Sequence, residues 1–269
     1  MATNYPVINI GLGTTGGEIV TLIARIIRHE GDQWCKDYVE SLVLLSEAEP
    51  PQEVDAGLVR NIIHLCPGNT PTKIFVDNFA NAKDPSVAKV FRLWYPHDAN
   101  AVPAYPPCST FEEGCAGFRP SGRLLLHRIR AKGESVRTQL SSLFHSIDQR
   151  AADQIRNQKV AGQDIDPSKI ICNVYGMLAG GTASGLFLDF ALLLRSAAEE
   201  QEKKVFINGY FLTGDTCYAP ILPSHRSMTR VTMQRRNTIK ALVEVKPEDD
   251  SFYPFGTAPI YNPLRKLRW

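Results

Sequence analysis

The chain has 269 residues, 43% of them hydrophobic and 22% charged, with a formal net charge of +2. This is an ordinary globular composition, large enough for one substantial core or two small ones. No apolar run approaches the ~18 residues of a membrane helix, so no membrane span is expected, and the near-neutral charge gives no reason to expect a nucleic-acid partner.

The start, Met1-Ala2-Thr3-Asn4-Tyr5-Pro6, lacks the basic and then apolar pattern of a signal peptide. Cysteines are scattered at Cys35, Cys66, Cys108, Cys115, Cys172 and Cys217. Cys108 and Cys115 have no second Cys or His pair at zinc-site spacing, so no metal site is expected. A reduced, cytoplasmic protein is the default expectation.

In chain order, Val7-Ile8-Asn9-Ile10 reads as a short strand, followed by Gly11-Leu12-Gly13-Thr14-Thr15-Gly16-Gly17. Ile19, Leu22, Ile23, Ile26 and Ile27 then recur on one face of a helix reaching about Glu30. The loop fits G-x-G-x-x-G, which raises a dinucleotide-binding domain. That fingerprint expects an acidic residue after the second strand. Glu47, after Leu42-Val43-Leu44-Leu45-Ser46, lies about thirty residues past Gly16, late but workable with a longer connection.

Asn61-Ile62-Ile63-His64-Leu65 predicts a third strand, broken by Cys66-Pro67-Gly68-Asn69-Thr70-Pro71. Residues 84–110, with Trp94, Tyr95, Tyr105 and several prolines, read as an irregular packed excursion whose aromatics lie in the core. Arg119-Pro120-Ser121-Gly122-Arg123 opens a helix. Its two arginines have the reach and planar charge for a phosphate or a neighbouring subunit, or they are simply solvated. From Lys132 to Lys159 the pattern is helical, with Val136, Leu140, Leu143, Phe144 and Ile147 as its inner stripe, and Gly162–Ser168 is a polar turn.

Ile170, Ile171, Val174 and Tyr175 form a buried strand in which Cys172 acts as a small hydrophobe. A second glycine-rich loop follows, Ala179-Gly180-Gly181-Thr182-Ala183-Ser184-Gly185. Leu186, Phe190, Leu193, Leu194 and Ala197 then continue at helical spacing. A strand, a glycine-rich turn and a helix start present unpaired N–H groups at the positive end of a dipole, and Thr182 and Ser184 add hydroxyls. That is an anion site, most often for phosphate. The dinucleotide reading leaves this second loop unexplained, whereas two such loops after two strands can hold one polyphosphate between them.

Val205–Leu212 is a strong strand, and Asp215 and Thr216 leave its carboxyl end, where ligands sit in open α/β sheets. Ser224–Lys246 is basic and largely helical. Glu248-Asp249-Asp250 and a Pro-rich, basic stretch ending in Trp269 follow.

At the two glycine loops the chain resembles the tubulin/FtsZ superfamily, which carries one such loop after its first strand and a GGGTGSG signature after its fourth. The signature here has alanine at its first and fifth places, Ala179 and Ala183. The resemblance is closest to the bacterial tubulin-like proteins. Gly114–Leu126 matches their segment before the signature and Asn237–Val245 the segment after it, and the likeness covers roughly residues 5–245.

The resemblance implies an α/β fold, with a Rossmann-like, mainly parallel sheet and helices on both faces. The expected divisions are a nucleotide-binding domain over 1–226, a long helix over 227–246 and a tail over 247–269. It implies GTP or GDP as ligand, with Mg2+ a candidate companion. The implied contacts are Gly11, Leu12, Gly13, Thr14, Thr15, Gly16, Gly17, Ala179, Gly180, Gly181, Thr182, Ala183, Ser184, Gly185, Asp215 and, at the guanine, Asn237. Glu47, Gly68, Asn69 and Thr70 are weaker candidates, since turn residues of these types are common. The partner is a second copy, head to tail, or another protein of the same complex. The family's second domain has no counterpart here, so hydrolysis is expected to be weak. Two alternatives stay open: an interaction module that has lost hydrolysis or binding, and a dinucleotide-binding oxidoreductase.

Overall fold

Ile8, Ile10 and Leu12 alternate with Asn9 and Gly11, and that two-residue period places them together on one side of a strand. The computed structural model describes residues 3–112, 114–129, 136–157, 164–213 and 236–241. Its elements are β1 (Thr3–Asn4), β2 (Val7–Leu12), α1 (Gly13–Glu30), α2 (Gln33–Tyr38), β3 (Val39–Leu45), β4 (Asn61–His64), α3 (Thr72–Ala80), α4 (Pro85–Trp94), α5 (Arg119–Ile129), α6 (Val136–Asn157), β5 (Asp164–Ile165), β6 (Lys169–Met177), α7 (Thr182–Glu199) and β7 (Lys204–Leu212). Residues 236–241 are helical. Among the described residues no helix is long and apolar enough to cross a membrane.

Five strands form one parallel sheet in the order β4-β3-β2-β6-β7, as the α/β expectation requires. The chain builds outward from β2 to β4, then returns to the other side of β2 with β6 and β7. The connections therefore diverge after β2 and β6, whose ends stand side by side with Leu12 opposite Gly176. This is the switch point at which open parallel sheets bind ligands.

The sheet is packed on both faces. On one face Ile8, Ile10, Leu42, Leu44, Cys172 and Val174 meet Leu124 and Leu125 of α5, Phe144 and Ile147 of α6, and Phe190 and Leu194 of α7. On the other, Val43 and Leu45 pack with Val20 of α1 and with Val54 and Val59. The expected inner stripe of α6 is buried throughout.

Several local readings change. β3 starts at Val39 rather than Leu42, because Val39, Glu40 and Ser41 pair with Val7, Ile8 and Asn9. The stretch expected to be irregular contains α4. Asp84 accepts the Ser86 amide and Pro85 opens the helix, both ordinary start signals. Trp94 and Tyr95 are core residues, but Tyr105 is exposed, donating to Asp77. The expected turn before β6 holds β5, which pairs with β1 in a separate two-stranded sheet.

Candidate functional site

The two glycine-rich stretches are helix beginnings as much as loops. α1 starts at Gly13 and α7 at Thr182, and neither has a side chain capping its first turn. Among the described residues, the amides of those turns therefore have no N-cap side chain to accept from them. The two starts also touch. Gly13 has φ of +73°, and a Cβ there would stand 3.1 Å from the Thr182 Cβ. Gly16 lies so close to β6 that a Cβ would overlap the Tyr175 carbonyl oxygen. Glycine is thus required both for the turn and for the approach of α1 to the strand carrying the other loop.

The end of β3 closes one side. Ser46, fully buried, shares a hydrogen bond of 2.6 Å with Thr182. Thr14 donates to Glu47 Oε1 at 3.0 Å, and Ser46 lies 3.3 Å from Glu47 Oε2. Ser184 turns its hydroxyl back to the Gly180 carbonyl. The Thr182 and Ser184 hydroxyls, expected as donors to an anion, thus already have protein partners, and the first-turn amides are the stronger donor set. Thr14, Thr15, Gly180 and Gly185 are half-buried, while Gly11, Leu12, Gly13, Gly16, Gly17, Ala179, Gly181, Thr182, Ala183 and Ser184 are buried.

The segment before α5 forms the other side. Gly114, Ala116 and Gly117 all have positive φ, so the chain coils tightly there. It lies against the second loop: a Cβ on Gly181 would come within 2.7 Å of the Cys115 Cβ. Burial pushes the Cys115 thiol up to about 12. Asn237, from the helical residues 236–241, donates to the Gly117 carbonyl at 2.7 Å and the Ala179 carbonyl at 3.2 Å. It is 5% exposed. Three stretches far apart in sequence thus meet at one amide.

Other candidates have structural partners. Arg119 donates to the Ser184 carbonyl at 2.7 Å. Arg123 pairs with Asp189 at 2.6 Å and lies over the Trp94 ring, 4.8 Å from its centroid. Both guanidiniums fasten α5 to its neighbours. Thr70 donates back to Pro67 within its own turn. Asp215, Thr216, Glu248, Asp249, Asp250 and the tail lie outside the described residues. Ser46, Cys115 and Gly117 were not singled out from sequence as site residues. Ser46 had a signal, a small polar residue at the carboxyl end of an apolar strand, whereas Cys115 and Gly117 matter only through packing.

A search of curated proteins finds no match to this chain. Residues 77–260, more than half of it, match the family described as "Tubulin like". That span holds the second glycine loop, the coil at Gly114–Gly117 and Asn237; the first loop lies before it and is joined by the pairing of β2 with β6. The chain belongs to the tubulin-like family.

Proposed function

We propose that the protein binds a guanine nucleotide at the switch point, and that the bound nucleotide governs self-assembly or docking to another protein. The observation that carries this reading is the meeting of two helix starts without side-chain caps at Gly13 and Thr182. Two positive dipole ends and their amides form a cradle for a polyphosphate chain. Gly11–Gly17 and Ala179–Gly185 supply it, and Asp215 would lie at the carboxyl end of β7. Glu47, at the rim, would stand beside the phosphates only with a cation between them, which is where Mg2+ would fit.

Asn237 gives the base preference its chemistry. Its Nδ2 is committed to two main-chain carbonyls, so Oδ1 is what it can offer a base. Guanine carries N–H donors at N1 and N2 on its Watson–Crick edge, and adenine has none at those positions. Family membership supports this reading over the dinucleotide one.

Hydrolysis by these residues alone is slow in this account. The cradle positions phosphate, but Glu47 is held by Thr14 and Ser46 rather than set to orient water. Nucleotide released by acid from the purified protein and identified by chromatography tests the binding: guanine nucleotide is expected, and a nicotinamide or flavin product overturns the reading. Phosphate release against protein concentration tests the rest. A rate per subunit that rises steeply with concentration would show that assembly completes a catalytic site.

A further inference from the structure

Asn9 is the anomaly of β2. It sits mid-strand among apolar residues and is 5% exposed. Its Oδ1 accepts from Asn173 Nδ2 and from the Tyr175 hydroxyl, each at 3.3 Å. With Oδ1 so engaged, what Asn9 can offer a ligand is its Nδ2 donor.

The place it borders is a cavity of about 510 Å³ between the second half of α1, α2, the start of β3 and residues 57–60. Only the first turn of α1 reaches the switch point, so this cavity lies at the opposite, amino end of the sheet from the proposed nucleotide site. Val20, Ile23, Ile27, Val39 and Leu58 form the apolar part of its wall, and polar groups make up the larger share. Its rim is basic: Arg28, Lys36 and Arg60 border it, all are exposed, and none is in an ion pair among the described residues. Glu40 also borders it, but its carboxylate is paired with Arg150 of α6.

We propose that this cavity is a second ligand site, for a small amphipathic anion whose apolar body lies along α1 and whose carboxylate or phosphate head meets Arg28, Lys36 and Arg60. The volume is within the roughly 300–1,000 Å³ usual for small-molecule sites. Apolar side chains beside placed polar groups are a usual lining for such sites, and Asn9 adds an amide donor to this one. Arg28 and Arg60 each bring a planar, multi-donor guanidinium suited to an oxyanion.

The test is calorimetric titration of the whole chain with octanoate, octyl phosphate and octanol. Saturable binding of one anion per chain is expected, with octanol at least ten-fold weaker, and the tighter of the two anions identifies the head group. Arg28→Glu combined with Arg60→Glu should weaken binding at least ten-fold. These side chains are exposed, so the fold is not at risk. Ala24→Trp, which fills the cavity from α1, should abolish binding while the circular dichroism spectrum stays unchanged. No saturable binding, octanol equal to octanoate, or binding indifferent to the charge reversals would overturn the proposal. GTP affinity measured on the same samples reads the other site separately.

Discussion

Ser46 and Thr182 share a buried hydrogen bond of 2.6 Å, tying the end of β3 to the first turn of α7. Ser46 follows β3 and Thr182 opens the helix that follows β6, and those two strands flank β2, so this bond spans the floor of the crevice. Ser46→Ala and Thr182→Val should each destabilise the fold by roughly 1–3 kcal/mol, because each leaves a buried hydroxyl without its partner. The double variant should lose less than the sum. Urea unfolding of all four proteins measures this, and strict additivity would show the bond to be energetically idle.

The glycines of the second loop separate steric from functional roles. A Cβ on Gly185 would overlap the Arg119 carbonyl oxygen, whereas a Cβ on Gly180 meets only the Met177 carbonyl oxygen at 3.5 Å. Gly185→Ala is therefore expected to lower the melting temperature by several degrees. Gly180→Ala should leave it nearly unchanged while weakening GTP binding. A Gly180→Ala protein with full affinity would move the phosphates away from this loop.

Asn237 holds two carbonyls with one amide nitrogen. Asn237→Ala should cost about 1–3 kcal/mol of stability and erase the preference for GTP over ATP. Asn237→Asp should be worse for stability, since a carboxylate there faces two carbonyl oxygens. Retained preference in a folded Asn237→Ala protein would remove this residue from base recognition.

Alkaline pH should destabilise the protein through its buried thiols. Burial pushes Cys115 and Cys172 from 9.0 up to about 12. The unfolded chain loses these protons near 9.0 and the folded chain only near 12, so stability is complete below pH 9.0 and falls as pH rises toward 12. The slope is roughly 1 kcal/mol per pH unit for each thiol. Urea midpoints measured across that range should fall, and Cys172→Ala should flatten the fall. An unchanged slope in that variant would show that Cys172 does not contribute.

Much of this architecture was legible in the residues. Apolar runs at Val7, Leu42, Ile170 and Val205 became strands, and both glycine stretches became helix starts, because period and glycine placement are local signals. α4 was missed because its aromatics and prolines resembled a loop, although Asp84-Pro85 is a sound helix start. β1 and β5 are two residues each, stabilised by pairing across more than half the chain, which no local pattern announces. At the site, the order of the motifs was readable but their contacts were not. That Thr182 bonds Ser46, that Ser184 turns to Gly180, and that Asn237 meets Gly117 are consequences of tertiary packing.

The most direct measurement of the central claim is calorimetric titration of the folded protein with GTP and with ATP, beside a Gly13→Val variant that strains the +73° turn and presses on Thr182. One GTP per chain is expected, with ATP weaker by roughly 100-fold or more and the GTP signal lost in Gly13→Val. A folded wild-type protein that binds neither nucleotide, or binds both equally, would contradict the account.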